Sequence, residues 1–201
     1  MIHWILGSAS PRRREILSHL GVRFTVCVAD VDEQSDERDG PTLVEQLSRR
    51  KALAVREQRR REGQPCDGRD EVIIACDTVV LDGEGRILGK PRDAEQAAQM
   101  LRSLSDRTHS VVSGVTVCRG DEVYSAHEIT RVRFAALSES IIKRYVDSGN
   151  PLDKAGAYGI QDTASLWIRG IEGDYFNVVG LPVHRLETLL NERFGLSLLD
   201  A

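Results

Sequence analysis

A carboxylate stands alone in the apolar run Ile73-Ile74-Ala75-Cys76-Asp77-Thr78-Val79-Val80, where a buried charge is costly unless it is paired or bound to a metal ion. A strand-end position capped by backbone amides would also account for Asp77. A second acidic feature, Asp32-Glu33, closes an earlier strand-like segment, and the two could meet at one end of a sheet. Hard cations such as Mg²⁺ or Mn²⁺ take such carboxylate oxygens together with substrate phosphates and water. Acidic loops are also commonly just solvated.

Anion-binding candidates lie nearby in sequence. The segment Ser8-Ala9-Ser10-Pro11-Arg12-Arg13 reads as a strand-to-helix turn, and the unpaired amides at a helix start can receive phosphate oxygens. The helix dipole contributes only about 0.3–1 kcal/mol to an exposed anion, whereas an arginine hydrogen bond is worth roughly 1.5–3 kcal/mol. Arg12 or Arg13 would therefore dominate, with Ser8 and Ser10 adding hydroxyls; a capped amphipathic helix with solvated arginines explains the segment equally well. Two lysines, Lys51 on a predicted helix and Lys90 in Gly89-Lys90-Pro91, could add positive charge, or could simply lie on the surface. Asp153 to Gln161 combines small residues with Tyr158 and Gln161, which suits a backbone-lined pocket whose amide reads a base edge, or a plain Gly-rich turn.

The elements that would position these residues alternate between strands and helices. Ile2 to Leu6 is a buried strand. Ser10 caps a helix that begins at Pro11, carries Ile16, Leu17 and Leu20 on one face and ends at Gly21. Val22 to Val28 is a strand, and a second helix runs from Pro41 with Thr42 as cap and a stripe of Val44, Leu47, Leu53 and Val55. Arg56 to Asp70 reads as a solvated helix end and a loop. Val72 to Leu81 and Arg86 to Leu88 form a hairpin, and Asp93 caps a third helix with Gln96 completing a capping-box-like pair. Val111 to Val117 and Glu122 to Phe134 are strands, Ser138 caps another helix, Leu166-Trp167-Ile168 and Phe176 to Val179 are short strands, and Pro182 to Phe194 is the last helix. The hairpins forbid an all-parallel sheet, so the expected fold class is α/β, a mixed twisted sheet with flanking helices, in one domain over residues 1–201.

With 41% hydrophobic and 29% charged residues, the 201-residue chain can bury a core without staples. No apolar run is long enough for a membrane span and no signal-peptide pattern is visible, so no membrane partner and a cytoplasmic location are expected. Cys27, Cys66, Cys76 and Cys118 have no paired spacing, and the five histidines have no metal-ligand spacing. A formal net charge of −4 gives no global field for nucleic acid, and no nucleic-acid partner is expected. The Arg49, Arg50, Arg56, Arg59, Arg60, Arg61 cluster is interleaved with Glu57 and Glu62 and lacks aromatic neighbours.

Eight motifs in order along the chain resemble the Maf family of nucleoside triphosphate pyrophosphatases: Ser8 to Arg13, Asp32-Glu33, Lys51-Ala52, Asp77 to Val80, Gly89 to Pro91, Ser113-Gly114-Val115, Lys154 to Gln161 and Val178 to Pro182. The resemblance implies a fold like that of inosine triphosphate pyrophosphatase, with two lobes around a central cleft, and a house-cleaning hydrolase that splits a triphosphate between its α- and β-phosphates. It implies Asp77 as the proton acceptor, a divalent metal (Mg²⁺ or Mn²⁺) held by Asp32, Glu33 and Asp77, and substrate contacts from Ser8, Arg12, Arg13, Lys51, Thr78, Lys90 and Gln161. Arg12, Thr78 and Gln161 match the dTTP/UTP branch over the branch acting on 7-methyl-GTP. A homodimer is common for enzymes of this size, and a non-catalytic nucleotide-binding regulator of cell division is the alternative from another class. The chain departs from the family pattern at Gly7, at Cys76 and at Asp162, where a carboxylate follows Gln161.

Overall fold

A computed structural model describes residues 2–63 and 70–200. Its seven-stranded sheet has the order β2-β1-β3-β5-β6-β7, with β4 beside β3. The chain divides into two compact units: Met1–Asp77, Ser113–Glu128 and Gly180–Ala201 form the first, Thr78–Val112 and Ile129–Val179 the second.

In the first unit, β1 (His3–Leu6) lies parallel to β2 (Phe24–Val26) on one side and to β3 (Glu71–Leu81) on the other. Helix α1 (Pro11–His19) joins β1 to β2, and α2 (Gly40–Arg61) leads towards β3. Ala52 and Val55 of α2 pack with Ile5, Ile73, Ala75 and Cys118. The α2 cap differs from the sequence expectation: Asp39 is the N-cap, and Thr42 donates both its amide (3.0 Å) and its hydroxyl (2.6 Å) to it. Asp39 Oδ2 accepts both bonds, so Thr42, three residues on, serves as donor and not as cap. At α1, Ser10 holds the cap position with no side-chain cap bond, and the Ser8 hydroxyl accepts the Ser10 amide proton instead. Helix α2 ends in Arg59, Arg60 and Arg61; Cys66 and most of the loop expected up to Asp70 lie outside the described residues. The unit also takes α6 (Val183–Phe194), closed by left-handed Gly195, and the neighbouring stretches of β5 (Thr108–Arg119) and β6 (Glu122–Phe134), joined by a tight turn at Gly120-Asp121.

In the second unit, β4 (Ile87–Leu88) pairs antiparallel with the end of β3. Helices α3 (Ala94–Leu104) and α4 (Glu139–Asp147) contribute to a core containing Val80, Leu101, Leu104, Phe134 and Ile142. Asp93 caps α3 as expected, while Gln96 accepts the Arg92 amide one residue further back than a strict capping box. Two expected strands are corrected. Thr163–Trp167 is a 3-10 turn capped by Asp162, leaving Leu166 84% exposed, and β7 (Ile168–Glu172) starts only at Ile168 to pair with β6. Tyr175–Val179 is a helix, α5: Asp174 accepts the Phe176 amide, and buried Asn177 donates to the Val111 carbonyl and to Thr130 Oγ1, so local capping and tertiary bonds override the β propensity of Phe176 to Val179.

Candidate active site

The site in the first unit forms where β1 ends. Strand pairing between β1 and β3 stops at Leu6 and Ile74, and the Gly7 amide makes a last bond to the Ile74 carbonyl before the chain leaves as the Ser8 turn. Beyond it, β3 regains a partner on β4 only at Val80. Residues 75–79 therefore border the place where β1 leads away to β2, the kind of switch point at strand carboxyl ends where parallel sheets bind ligands. Arg13 fills the gap: Nη1 donates to the Cys76 carbonyl (2.9 Å) and to Ser8 Oγ (3.0 Å), and Nε donates to the Gly180 carbonyl (2.7 Å). Part of Arg13 thus holds the turn in place, a role that its position in the motif did not reveal.

Asp77, 7% exposed, receives Lys51 Nζ on Oδ1 at 2.6 Å, and the same ammonium lies 3.0 Å from Glu33 Oε1. A lysine on α2 thereby meets the charge that the apolar run of β3 left uncompensated, and removing one partner of such a pair costs roughly 3–5 kcal/mol. Arg50, its neighbour on α2, donates to the Gln34 carbonyl and holds the acidic loop. Asp32 turns its carboxylate to the Gln34 amide, forming an Asx-type turn. Among the described residues no three His, Cys, Asp or Glu side chains gather closely enough to hold a metal by themselves. Glu33 and Asp77 nonetheless converge on one cationic atom with hard oxygen donors, the chemistry a divalent ion shares with substrate phosphates. Asp32 does not join them. Burial pushes the Cys76 thiol up to about 11 against the pull of Arg13 and Lys51, so it stays protonated and is no nucleophile.

The second unit brings other motifs together. The Gly89 carbonyl accepts the Gly156 amide proton at 3.0 Å, tying the segment of exposed Lys90 to the 154–161 segment. Gly156 is left-handed (φ 67°), and a Cβ there would come within 2.8 Å of the Val80 side chain. Ala157 follows in the same strained region (φ 61°). Thr78 begins this unit's part of β3 and Gln161 is exposed. Asp162 faces its own unit: both oxygens accept the Tyr145 hydroxyl at 3.0 Å, Oδ1 accepts the Ala164 amide proton at 2.9 Å, and Lys154 Nζ lies 3.8 Å away.

A family model described as Maf-like protein matches residues 3–193. A dTTP/UTP pyrophosphatase of Symbiobacterium thermophilum is 50% identical over 193 residues, 95% of this chain and 93% of that protein. One from Alkaliphilus oremlandii is 45% identical over 202 residues, 99% and 100% of the two chains. Among solved structures, a HAM1 protein from Coxiella burnetii shares the fold with a TM-score of 0.54 at 15% identity, covering 96% of this chain and all of that one.

Proposed function

This chain belongs to the Maf-like protein family, and from that premise we infer that it hydrolyses dTTP and UTP to the nucleoside monophosphate and pyrophosphate. The observation that carries the reading is the convergence of Glu33, Lys51 and Asp77 beside the Ser8 turn, a charged group built at a strand switch point. In the proposed reaction Asp77 accepts a proton from water as the oxygen attacks the α-phosphorus. The bond to the β-phosphate bridging oxygen breaks, and pyrophosphate leaves with that electron pair. Lys51 orients the Asp77 carboxylate, Arg12, Arg13 and Lys90 neutralise phosphate charge, Ser8 donates its hydroxyl to a phosphate oxygen, and Thr78 and Gln161 read the pyrimidine. A divalent cation, Mg²⁺ or Mn²⁺, held by Glu33 and Asp77, would supply further charge neutralisation on the phosphates. Positioning and electrostatics are what such a displacement requires of a protein.

The test is pyrophosphate release with Mg²⁺ or Mn²⁺ across dTTP, UTP, CTP, ATP, GTP and 7-methyl-GTP. The expected outcome is a preference for dTTP and UTP, with Asp77→Asn lowering kcat by at least ~10²-fold while nucleotide binding is retained. A wild type silent on every triphosphate, or an Asp77→Asn variant at full rate, overturns the reading.

A further inference from the structure

Ser113-Gly114-Val115 is a motif with no part in the chemistry just described, and Gly114 lies under α2. A Cβ at Gly114 would fall 2.3 Å from the Val44 carbonyl oxygen and 2.9 Å from the Glu45 nitrogen. Both are helix backbone, which cannot give way as the tip of a flexible side chain can. Helix α2 therefore rests directly on the backbone of β5. One turn further along, fully buried Ser48 donates to the Glu45 carbonyl (3.1 Å) and shares a 2.8 Å bond with Thr116 Oγ1, which shares another 2.8 Å bond with Ser125 Oγ. The donation to Glu45 orders this chain of hydroxyls: Thr116 gives its proton to Ser48, and Ser125 gives its own to Thr116. Val44, Ser48 and Lys51 stand at i, i+4 and i+7, a single stripe of the helix.

We propose that Gly114 and the Ser48–Thr116–Ser125 hydroxyl chain are positioning residues, which set the height and roll of that stripe so that Lys51 Nζ reaches Asp77 and Glu33. Gly114 fixes how closely the helix approaches, and the hydroxyls fix its rotation and axial register. Two turns on, the same face delivers the ammonium to Asp77 at 2.6 Å. Any Cβ at Gly114 lifts the helix by roughly 1 Å, and a misplacement of that size costs about 10²-fold in rate.

The inference rests on the roles given above to Lys51 and Asp77, and its test separates the two. With dTTP as substrate, well below the melting temperature, Gly114→Ala is expected to lose about 10²-fold in kcat with KM within a few-fold of wild type. Leu190→Ala, a core truncation on α6, loses stability and keeps both constants. Thr116→Val, isosteric and without the hydroxyl hub, lowers kcat at least ~10-fold and carries the test if Gly114→Ala does not fold. In a crystal structure of whichever variant folds, the Lys51–Asp77 separation is expected to lengthen beyond about 3.5 Å, out of hydrogen-bond range. A folded Gly114→Ala or Thr116→Val with wild-type kcat overturns the proposal. If wild type itself is inactive, the functional reading alone fails, and an unchanged Lys51–Asp77 distance in the variant overturns this one.

Discussion

Asp162, the carboxylate that follows Gln161, is bound to its own unit. Burial first, and then the charge of Asp162, push the Tyr145 phenol well above its ordinary value, so the hydroxyl stays protonated and donates. The carboxylate also caps the 3-10 turn at Ala164, so it holds the 159–162 segment that carries Gln161. Asp162→Gly and Tyr145→Phe are expected to raise KM for dTTP and UTP in the same direction, with kcat within a few-fold, because both release one anchor; steady-state kinetics on the pair checks this. A base-reading role for Asp162 itself would leave Tyr145→Phe without effect. At this scale Asp77 was legible in the sequence because an ion inside an apolar run is visible in one dimension. Lys51 as its partner was not, since nothing in the spacing between residues 51 and 77 encodes a salt bridge. The bonds of Arg13 to the Cys76 and Gly180 carbonyls were not legible either, because they depend on chain segments far away in sequence.

Helix α2 shows which features of an element a sequence encodes. Its apolar stripe was readable from spacing, but its cap was misplaced, because Asp39, Pro41 and Thr42 are all credible start signals within four residues. Its arginine-rich end looked solvated, yet Arg59 is buried and makes two hydrogen bonds to buried Glu71, while Arg56, Arg60 and Arg61 bond to the Gly120 carbonyl, Asp121 and Glu57. Burial alone would push Glu71 up; the bonds and charge of Arg59, helped by His3, outweigh it and hold the carboxyl below its ordinary range. Arg59→Ala strands that carboxylate and is expected to cost on the order of 3 kcal/mol in urea denaturation. Arg59→Ala/Glu71→Gln should recover part of the loss. Arg59 is the buried arginine of this basic run, and its charge hides in the sequence that it continues the inward face of Ala52 and Val55. The run Phe176-Asn177-Val178-Val179 misled for the opposite reason: its composition is strand-like, and the deciding bonds of Asn177 come from β5 and β6.

Over the whole molecule, alternating strand and helix patterns with hairpin turns were enough to give a mixed α/β fold, because periodicity and turn chemistry act locally. The division into two units was not readable from composition, since three strands contribute residues to both and no linker marks the change. Global stability should carry an acid-sensitive component from the second unit. His109 is buried against Phe134 and Tyr158, with Nε2 2.8 Å from the Tyr158 hydroxyl, and burial pushes it down to about 4 from 6.5. Between those values the unfolded chain binds a proton that the folded chain refuses. The contribution is therefore complete above about pH 6.5 and is lost as pH falls towards 4, a change on the order of 3 kcal/mol. Denaturation midpoints measured from pH 7 to 4 should fall more steeply in wild type than in His109→Gln, which retains the carboxylate titrations and lacks this one.

The peptide carbonyl of Cys76 is taken by Arg13, while its side chain is fully buried one residue before Asp77 and keeps its proton at neutral pH. The S–H bond is therefore a vibrational oscillator one residue before Asp77 on the same strand, and thiol stretching absorbs in a spectral window that amides leave clear. An infrared difference spectrum against Cys76→Ala isolates that band, and its frequency reads the local electric field beside Asp77 with no label attached to the protein.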